Sequence, residues 1–220
     1  MNRYYSLMGC LVILLIQVHK GFAQIPVEVF GGHKKATIDI MFFKFIKDKE
    51  AANSNWLFFN RNRASIDYKM NSSSNLPQFG FTEAISYNRK ALKGFAPVAV
   101  VQILNRGVYP KLGLQFAKQG NDYTIFTWMV SEVVKDPFAD WFFLGRYTPR
   151  LTEKMNLFLQ AELINAFPFN NTDNFSFIQR CRVGLKFDSF QFGFGADITS
   201  AGRNKYVQTY NFGAFLRKEF

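Results

Sequence analysis

The side chains with the most chemistry to offer in this sequence are charged groups that recur at alternate positions. Arg180, Arg182 and Lys186 share one face of an alternating run whose other face is apolar. A guanidinium group is a planar, permanently charged donor that binds carboxylates and other anions. Alternation along the chain selects nine candidates, which are Arg61, Arg63, Asp67, Arg146, Glu162, Arg180, Arg182, Lys186 and Asp197.

The sequence does not predict catalysis. After residue 23 it has a single histidine, His33, which at a strand end is typical of a solvated turn residue. One histidine alone forms neither a metal site nor a catalytic triad. Cys181 lies on an apolar face, where a reactive thiolate is disfavoured. The carboxylates lie on separate runs, so we expect no enzyme, no metal site and no cofactor.

Strands must position the charged groups, because apolar residues repeat with a period of two. The clearest example is a hairpin over 175–198 with a tight connection at Asp188-Ser189. Asn60, Asn62 and Glu83 interrupt otherwise apolar faces. Two segments, 95–105 and 122–134, are apolar or mixed on both faces, and their phase stays open.

Composition bears on whether these strands meet water or lipid. Aromatic residues make up 18% of the chain and charged residues 20%, against about 25% charged in ordinary soluble domains. A mean hydropathy of -0.08 argues against membrane helices but permits strands that alternate between lipid and lumen. The alternative is a soluble lipocalin-like barrel or sandwich. We expect an all-β fold, an antiparallel up-and-down transmembrane β-barrel.

The alternating runs number about twelve, including a short first candidate at Ile25–Phe30. Without it eleven remain, which a closed bacterial barrel disfavours, so about ten strands is the alternative. If the last strand ends in the periplasm, the tightest connections fall mostly on the periplasmic side. The long connections at 71–78 and 168–174 then fall outside the cell.

The N-terminus predicts export through a signal peptide at residues 1–23. Arg3 provides a positive start, Leu7–Val18 an apolar core, and a small-residue cleavage site ends at Ala23. Residues 24–220 would then form a single outer-membrane barrel domain.

Removal of the signal peptide would leave Cys181 as the one cysteine, so no internal disulfide is expected. In an exported protein, a net charge of +11 favours lipopolysaccharide or an anionic solute as the partner. Nucleic acid is not an expected partner.

The last strand carries Tyr210, Phe212 and Leu216 in phase with Phe220. This pattern resembles the C-terminal signal that the barrel-assembly machinery recognises in outer-membrane proteins. Lys218 departs from it, because that signal usually has an aromatic residue at this position.

Three stretches, Phe30–Lys35, Phe142–Arg150 and Leu157–Leu163, resemble small outer-membrane barrels of Bacteroidota. Size and strand count are also loosely similar to those of nucleoside-channel and porin-like barrels. The resemblance covers most of 24–220 and implies a barrel in the cell outer membrane, but no activity. It places the chain in a lipid bilayer with lipopolysaccharide, where other envelope proteins are candidate partners.

The inward charges leave two functions open. A surplus of inward arginine would favour small anions and predicts a narrow passive channel. If the charges instead neutralise one another and fill the lumen, the barrel is a non-conducting structural or partner-binding subunit of an envelope complex.

Overall fold

The computed structural model describes residues 25–47, 52–69, 77–105, 107–134 and 138–220. The signal peptide predicted at 1–23 lies outside them. The strands are β1 (Pro26–Gly32), β2 (Lys35–Lys47), β3 (Asn53–Asp67), β4 (Gln78–Tyr87), β5 (Phe95–Leu104), β6 (Gly107–Gln119), β7 (Tyr123–Glu132), β8 (Phe138–Tyr147), β9 (Met155–Pro168), β10 (Phe175–Phe187), β11 (Phe190–Gly202) and β12 (Tyr206–Glu219).

Each strand pairs antiparallel with its sequence neighbours, and β1 pairs with β12 to close the barrel. This seam runs from Pro26 opposite Glu219 to Gly32 opposite Gly213. Just beyond it, the N–H of Ile25 donates to the carbonyl of Phe220 at 2.9 Å, and the reverse bond measures 3.1 Å. The predicted barrel of twelve strands is confirmed. The alternative of about ten strands is wrong, because the short β1 is held along both edges.

The two rims of the barrel are distinct. We term the rim where β1 begins and β12 ends the terminal rim, and the opposite one the far rim. The terminal rim carries the predicted Asp188-Ser189 connection, in which Asp188 has a φ of 52°, a left-handed conformation that Asp tolerates. A 3₁₀ turn, Lys90–Leu92, joins β4 to β5 there. Among the described residues, no helix is long and apolar enough to cross a membrane.

The outer wall of the barrel is apolar. Alternate side chains point away from the lumen, and large apolar ones remain exposed, as with Phe194 at 78% and Leu114 at 64%. A water-soluble barrel would bury such residues. Trp56 and Tyr87 pack together at the terminal rim with ring centroids 4.9 Å apart, as in an interfacial aromatic girdle. The prediction of a transmembrane barrel is confirmed.

Inward side chains divide the lumen into an aromatic half and a polar half. We term Phe59, Phe126, Trp128 and Phe142 the aromatic cluster, because their ring centroids lie 4.8–6.0 Å apart. They come from β3, β7 and β8. The polar half is lined by β1–β3 and β9–β12 and also contains a smaller aromatic group, Phe30, Phe158 and Phe215.

The two segments of open phase belong to the aromatic half. Val98 and Val100 of β5 face inward beside the aromatic cluster, as do Phe126 and Trp128 of β7. Their neighbours in sequence face the outer wall. Both faces of these strands are therefore apolar, one against the cluster and the other toward lipid.

Candidate functional site

A connected set of ion pairs fills the polar half, and we term it the ionic network. Its members occupy the inward positions of strands whose outward positions are mostly apolar. They are Glu28 (β1), Asp39 (β2), Arg61 and Arg63 (β3), Glu162 (β9), Arg180 and Arg182 (β10), Asp197 (β11) and Arg217 (β12).

Arg61 links two walls of the barrel. Its Nη2 pairs with Asp39 on the adjacent strand, and its Nε donates to Asp39 Oδ1 at 3.2 Å. The same Nη2 donates across the lumen to Glu162 Oε2 at 2.9 Å. The guanidinium carbon also lies 5.9 Å from the ring centroid of Phe142, where the network meets the aromatic cluster.

Asp197 lies near three guanidinium groups. Its Oδ2 accepts from Arg63 Nη2 at 3.0 Å, and its Oδ1 accepts from Arg182 Nη1 at 2.8 Å. Arg180 Nε lies farther away, 3.9 Å from Oδ2. Arg180 is also held by Glu162, at 3.3 Å, so its two contacts are the longest in the network.

Glu28 ties the closing strand β1 to the network. Its two carboxylate oxygens accept from Arg182 Nε at 3.0 Å and from Arg217 Nη2 at 2.8 Å. The guanidinium of Arg182 lies 4.0 Å from the ring centroid of Phe30 and forms a cation–π contact with it. Phe30, like Glu28, belongs to β1. Glu28 therefore braces the seam from inside the lumen.

The network holds more positive than negative charge. Arg146, inward on β8, donates to Gln160 Oε1 at 3.0 and 2.9 Å and forms no ion pair with the described residues. With Arg146 included, six arginines face four carboxylates, an excess of two positive charges.

Three buried N–H groups of these arginines have no hydrogen-bond partner among the described residues: Arg61 Nη1, Arg180 Nε and Arg217 Nε. Surplus positive charge and unused donors together suit a small anion.

The aromatic half carries a separate and smaller charged group. Lys111 donates to Asp140 and to Gln102, and Glu132 lies opposite Lys111 on β7. One cation here faces two carboxylates. Within the described lumen, the positive excess therefore lies with the ionic network and Arg146.

The lumen is closed at mid-height. Phe126 and Phe158 are 0% exposed, and Glu162 and Asp197 are 3% exposed. Side chains that line a water-filled channel would be accessible to solvent. The ionic network and the aromatic cluster together form a constriction.

A vestibule opens on each side of the constriction. The far-rim vestibule has a volume of about 480 Å³, and its walls include Lys35, Arg63 and Arg180. The terminal-rim vestibule has a volume of about 640 Å³, and its walls include Arg146 and Lys186. Cationic side chains thus border both vestibules.

Eight of the nine candidate residues point into the lumen, namely Arg61, Arg63, Arg146, Glu162, Arg180, Arg182, Lys186 and Asp197. Lys186 lies apart from the ionic network, near the terminal rim, where its Nζ donates to Glu219 Oε2 at 2.7 Å. Asp67 lies at the far-rim end of β3, where it lines the far-rim vestibule, is exposed, and accepts from the backbone N–H of Lys69 at 2.9 Å. A functional role for these nine residues stays a prediction.

Sequence reasoning missed Glu28, Asp39 and Arg217 as site residues. Their positions carried the same signal as the others, since Glu28 alternates with the outward Val27 and Val29. What alternation did not reveal is that a shared arginine brings carboxylates of distant strands together.

The other potentially reactive groups lie away from the lumen. His33 is at the far rim, where its Nδ1 accepts from the backbone N–H of Phe212 at 3.0 Å. Cys181 is exposed on the outer wall. Within the described ranges, no three His, Cys, Asp or Glu side chains are placed to hold a metal ion.

The fold, the apolar outer wall and the charged interior define a porin-like outer-membrane β-barrel. The predicted location in the cell outer membrane is confirmed. No known protein family matches the sequence, and no curated protein is significantly similar to it. Similar solved structures include the KdgM porin in complex with disordered oligogalacturonate, with 9% identity, a TM-score of 0.52, and coverage of 90% of this chain and 99% of that one. The NanC porin has 9% identity, a TM-score of 0.52, and coverage of 89% and 98%.

These likenesses concern the fold alone, because the identities are so low. They confirm the predicted resemblance to porin-like barrels at that level. An origin in Bacteroidota stays a prediction.

Proposed function

We propose that this protein is a narrow passive channel for small anionic solutes, shut in this conformation by its ionic network. The observation that carries the proposal is the excess of two positive charges at the constriction. A positive interior favours anions over cations in a pore. We propose transport rather than catalysis, since the site offers binding groups and no activated nucleophile.

Surplus cations border the constriction from both sides. Arg180 and Lys35 face the far-rim vestibule, and Arg146 and Lys186 face the terminal-rim vestibule. Carboxylates also line these walls, Asp67 and Asp197 at the far rim and Glu219 at the terminal rim, but cations outnumber them in each vestibule. The surplus cations would concentrate anions at the constriction.

Arg180 is the residue best placed to open the path. Its contacts of 3.3 and 3.9 Å are the longest in the network, and its Nε has no hydrogen-bond partner among the described residues. An arriving anion can replace the carboxylates as its partner without leaving a buried charge unpaired. Exchange of partners at Arg180 would let the solute pass while the rest of the network stays paired.

Planar-bilayer recording of refolded residues 24–220 tests this function. We expect discrete, anion-selective conductance steps. Arg180→Ala should lower the anion-to-cation permeability ratio by about fifteenfold, because one charge about 5 Å away in a watery pore shifts the energies of an anion and a cation by about 0.8 kcal/mol each, in opposite directions.

Arg150→Ala is the matched control, because Arg150 is exposed on the connection between β8 and β9. It removes the same charge outside the lumen and should leave selectivity unchanged. A folded barrel that never conducts, or equal effects of both variants, would refute the channel.

A second candidate, a non-conducting partner-binding subunit of an envelope complex, is favoured by the burial of side chains at mid-height. It predicts a folded, heat-modifiable protein without conductance that co-purifies with other envelope proteins. For either function, we propose that the barrel-assembly machinery recognises β12 and the terminal Phe220, and that lipopolysaccharide surrounds the barrel.

A further inference from the structure

Three polar side chains lie on the lipid-facing wall where two strands meet. Asn60 and Asn62 occupy outward positions of β3, and Glu83 occupies the outward position opposite Asn60 on β4. We term them the exterior polar patch. Their nearest outward neighbours along the strands are apolar: Phe58, Ala64, Phe81 and Ile85.

The patch forms a short chain of hydrogen bonds with two open ends. Asn60 Nδ2 donates to Glu83 Oε1 at 2.5 Å, and Asn62 Nδ2 donates to Asn60 Oδ1 at 3.3 Å. The remaining oxygens, Glu83 Oε2 and Asn62 Oδ1, are covered by neighbouring atoms of this chain and have no hydrogen-bond partner among the described residues. Asn60, the middle member, is 8% exposed.

The patch lies near the middle of the membrane. On β3, Asn60 is four residues from Trp56 at the terminal rim, and Asn62 is four residues from Ile66 toward the far rim. At 3.3 Å per residue and a tilt of about 40°, four residues span about 10 Å of depth. Water is absent at this depth, so an unpaired polar atom is costly.

Several other polar groups on the outer wall are paired locally or lie near a rim. Thr127 Oγ1 accepts from Trp141 Nε1 at 3.0 Å and donates to the carbonyl of Phe142 at 2.7 Å. Lys118 and Lys218 lie one residue from strand ends, close to the aromatic rings of the terminal rim. The exterior polar patch differs from them, because it is both incomplete and central.

We propose that a second copy of this chain covers the exterior polar patch and forms a two-fold dimer in the membrane. The Glu83 and Asn62 side chains turn outward from their covered positions when the second copy binds. With a proton on its carboxyl group, Glu83 Oε2 then donates to Asn62 Oδ1 of the partner subunit, and symmetry supplies the reciprocal bond. One open donor and one open acceptor per copy make the patch self-complementary, as a two-fold interface requires.

The surrounding wall lets two barrels approach closely. Ala64 on β3 and Ala99 on β5 are exposed and small, and they flank the patch on either side. Small residues at a contact allow backbones to come together in lipid, where packing and polar bonds, rather than the hydrophobic effect, drive association.

Cross-linking in lipid vesicles tests the location of this interface. Val101 lies opposite Glu83 on β5, on the outer wall. Val101→Cys in a Cys181→Ser background should give a cross-linked dimer with a short bis-maleimide. The chain with its native Cys181, exposed on the far side of the barrel at β10, is the matched control and should not cross-link.

Resonance energy transfer between labelled copies tests the chemistry. The double variant Glu83→Leu/Asn62→Leu removes both reciprocal bonds and should weaken dimerisation at least about tenfold. Gln179→Leu, an outward polar-to-apolar change on β10, should leave it unchanged. Heat-modifiable migration of each variant reports that the barrel is folded.

Three outcomes would overturn the proposal. The folded protein could show no energy transfer at any protein-to-lipid ratio, or Val101→Cys could cross-link no better than Cys181. Alternatively, Gln179→Leu could weaken association as much as the double variant. None of these results bears on the channel, whose test is conductance.

Discussion

The side chains that fill the two halves of the lumen are held by different kinds of interaction. The aromatic cluster packs rings of β3, β7 and β8 against one another, with Phe43 of β2 stacked on Phe126. The ionic network fills the other half with arginines that each reach two or more acceptors.

This difference implies that the aromatic half is rigid and that the ionic half can rearrange. Close-packed rings resist rearrangement, because any shift opens a void. Charged groups that share partners can exchange one for another while each stays paired. Movement that opens a path should therefore occur in the ionic half, with the aromatic half as its fixed wall.

The largest expected effect is on the aromatic side. Phe126→Ala removes a ring that is 0% exposed and contacts three other rings of the cluster, so we expect a loss of about 4 kcal/mol in unfolding free energy. Urea unfolding in lipid vesicles measures it. Phe194→Ala on the outer wall should cost clearly less, and equal losses would show that the cluster is not a packed core.

Breaking the ionic network should lower the unfolding free energy somewhat less than Phe126→Ala does. Arg182→Ala strips one partner from both Glu28 and Asp197, which keep Arg217 and Arg63 respectively, so we expect a loss of about 3 kcal/mol.

A double-mutant cycle sharpens this test. If Glu28 and Arg182 are coupled, Glu28→Gln combined with Arg182→Met should cost less than the sum of the two single changes. Additive losses would contradict coupling through the ion pair.

A smaller effect should follow from crowding the network. A Cβ on Gly195 would lie 2.7 Å from Arg182 Cδ and 2.8 Å from its Nη1, so Gly195→Ala should cost about 1–2 kcal/mol and displace the guanidinium. Gly31→Ala is the matched control, because a Cβ there meets no atom within 4 Å. Identical unfolding curves for the two variants would show that Arg182 can move freely.

The smallest effect is expected outside the constriction. Lys186 pairs with Glu219 near the terminal rim, and its side chain is 30% exposed, so Lys186→Ala should cost about 0.5 kcal/mol or less. The loss should shrink further in 1 M salt. A cost comparable to that of Arg182→Ala would mean that the network extends to this rim.

Much of the architecture could be predicted from local alternation. The period of two identified the strands, the Asp188-Ser189 connection and the inward direction of Arg180 and Arg182. The same rule failed for β5 and β7, because their inward residues are as apolar as their outward ones.

The partners across the lumen could not be predicted. Arg182 and Glu28 are 154 residues apart, and Arg61 and Glu162 are 101 apart. Their meeting depends on closure and on the stagger of all the strands, which no local pattern encodes. The signal for each inward charge was therefore available in the sequence, whereas the choice of its partner was not.

The seam between β1 and β12 has a consequence for the order of folding. It joins the two strands that are most distant along the chain, and its last reciprocal bonds connect Ile25 with Phe220. Every other strand pairing can form between chain neighbours, but this one must wait until the whole sequence is present. Until then β1 and the most recently formed strand each expose an unpaired edge, which invites pairing with another chain. A nascent barrel of this kind needs its two open edges shielded up to the moment when its final residues arrive.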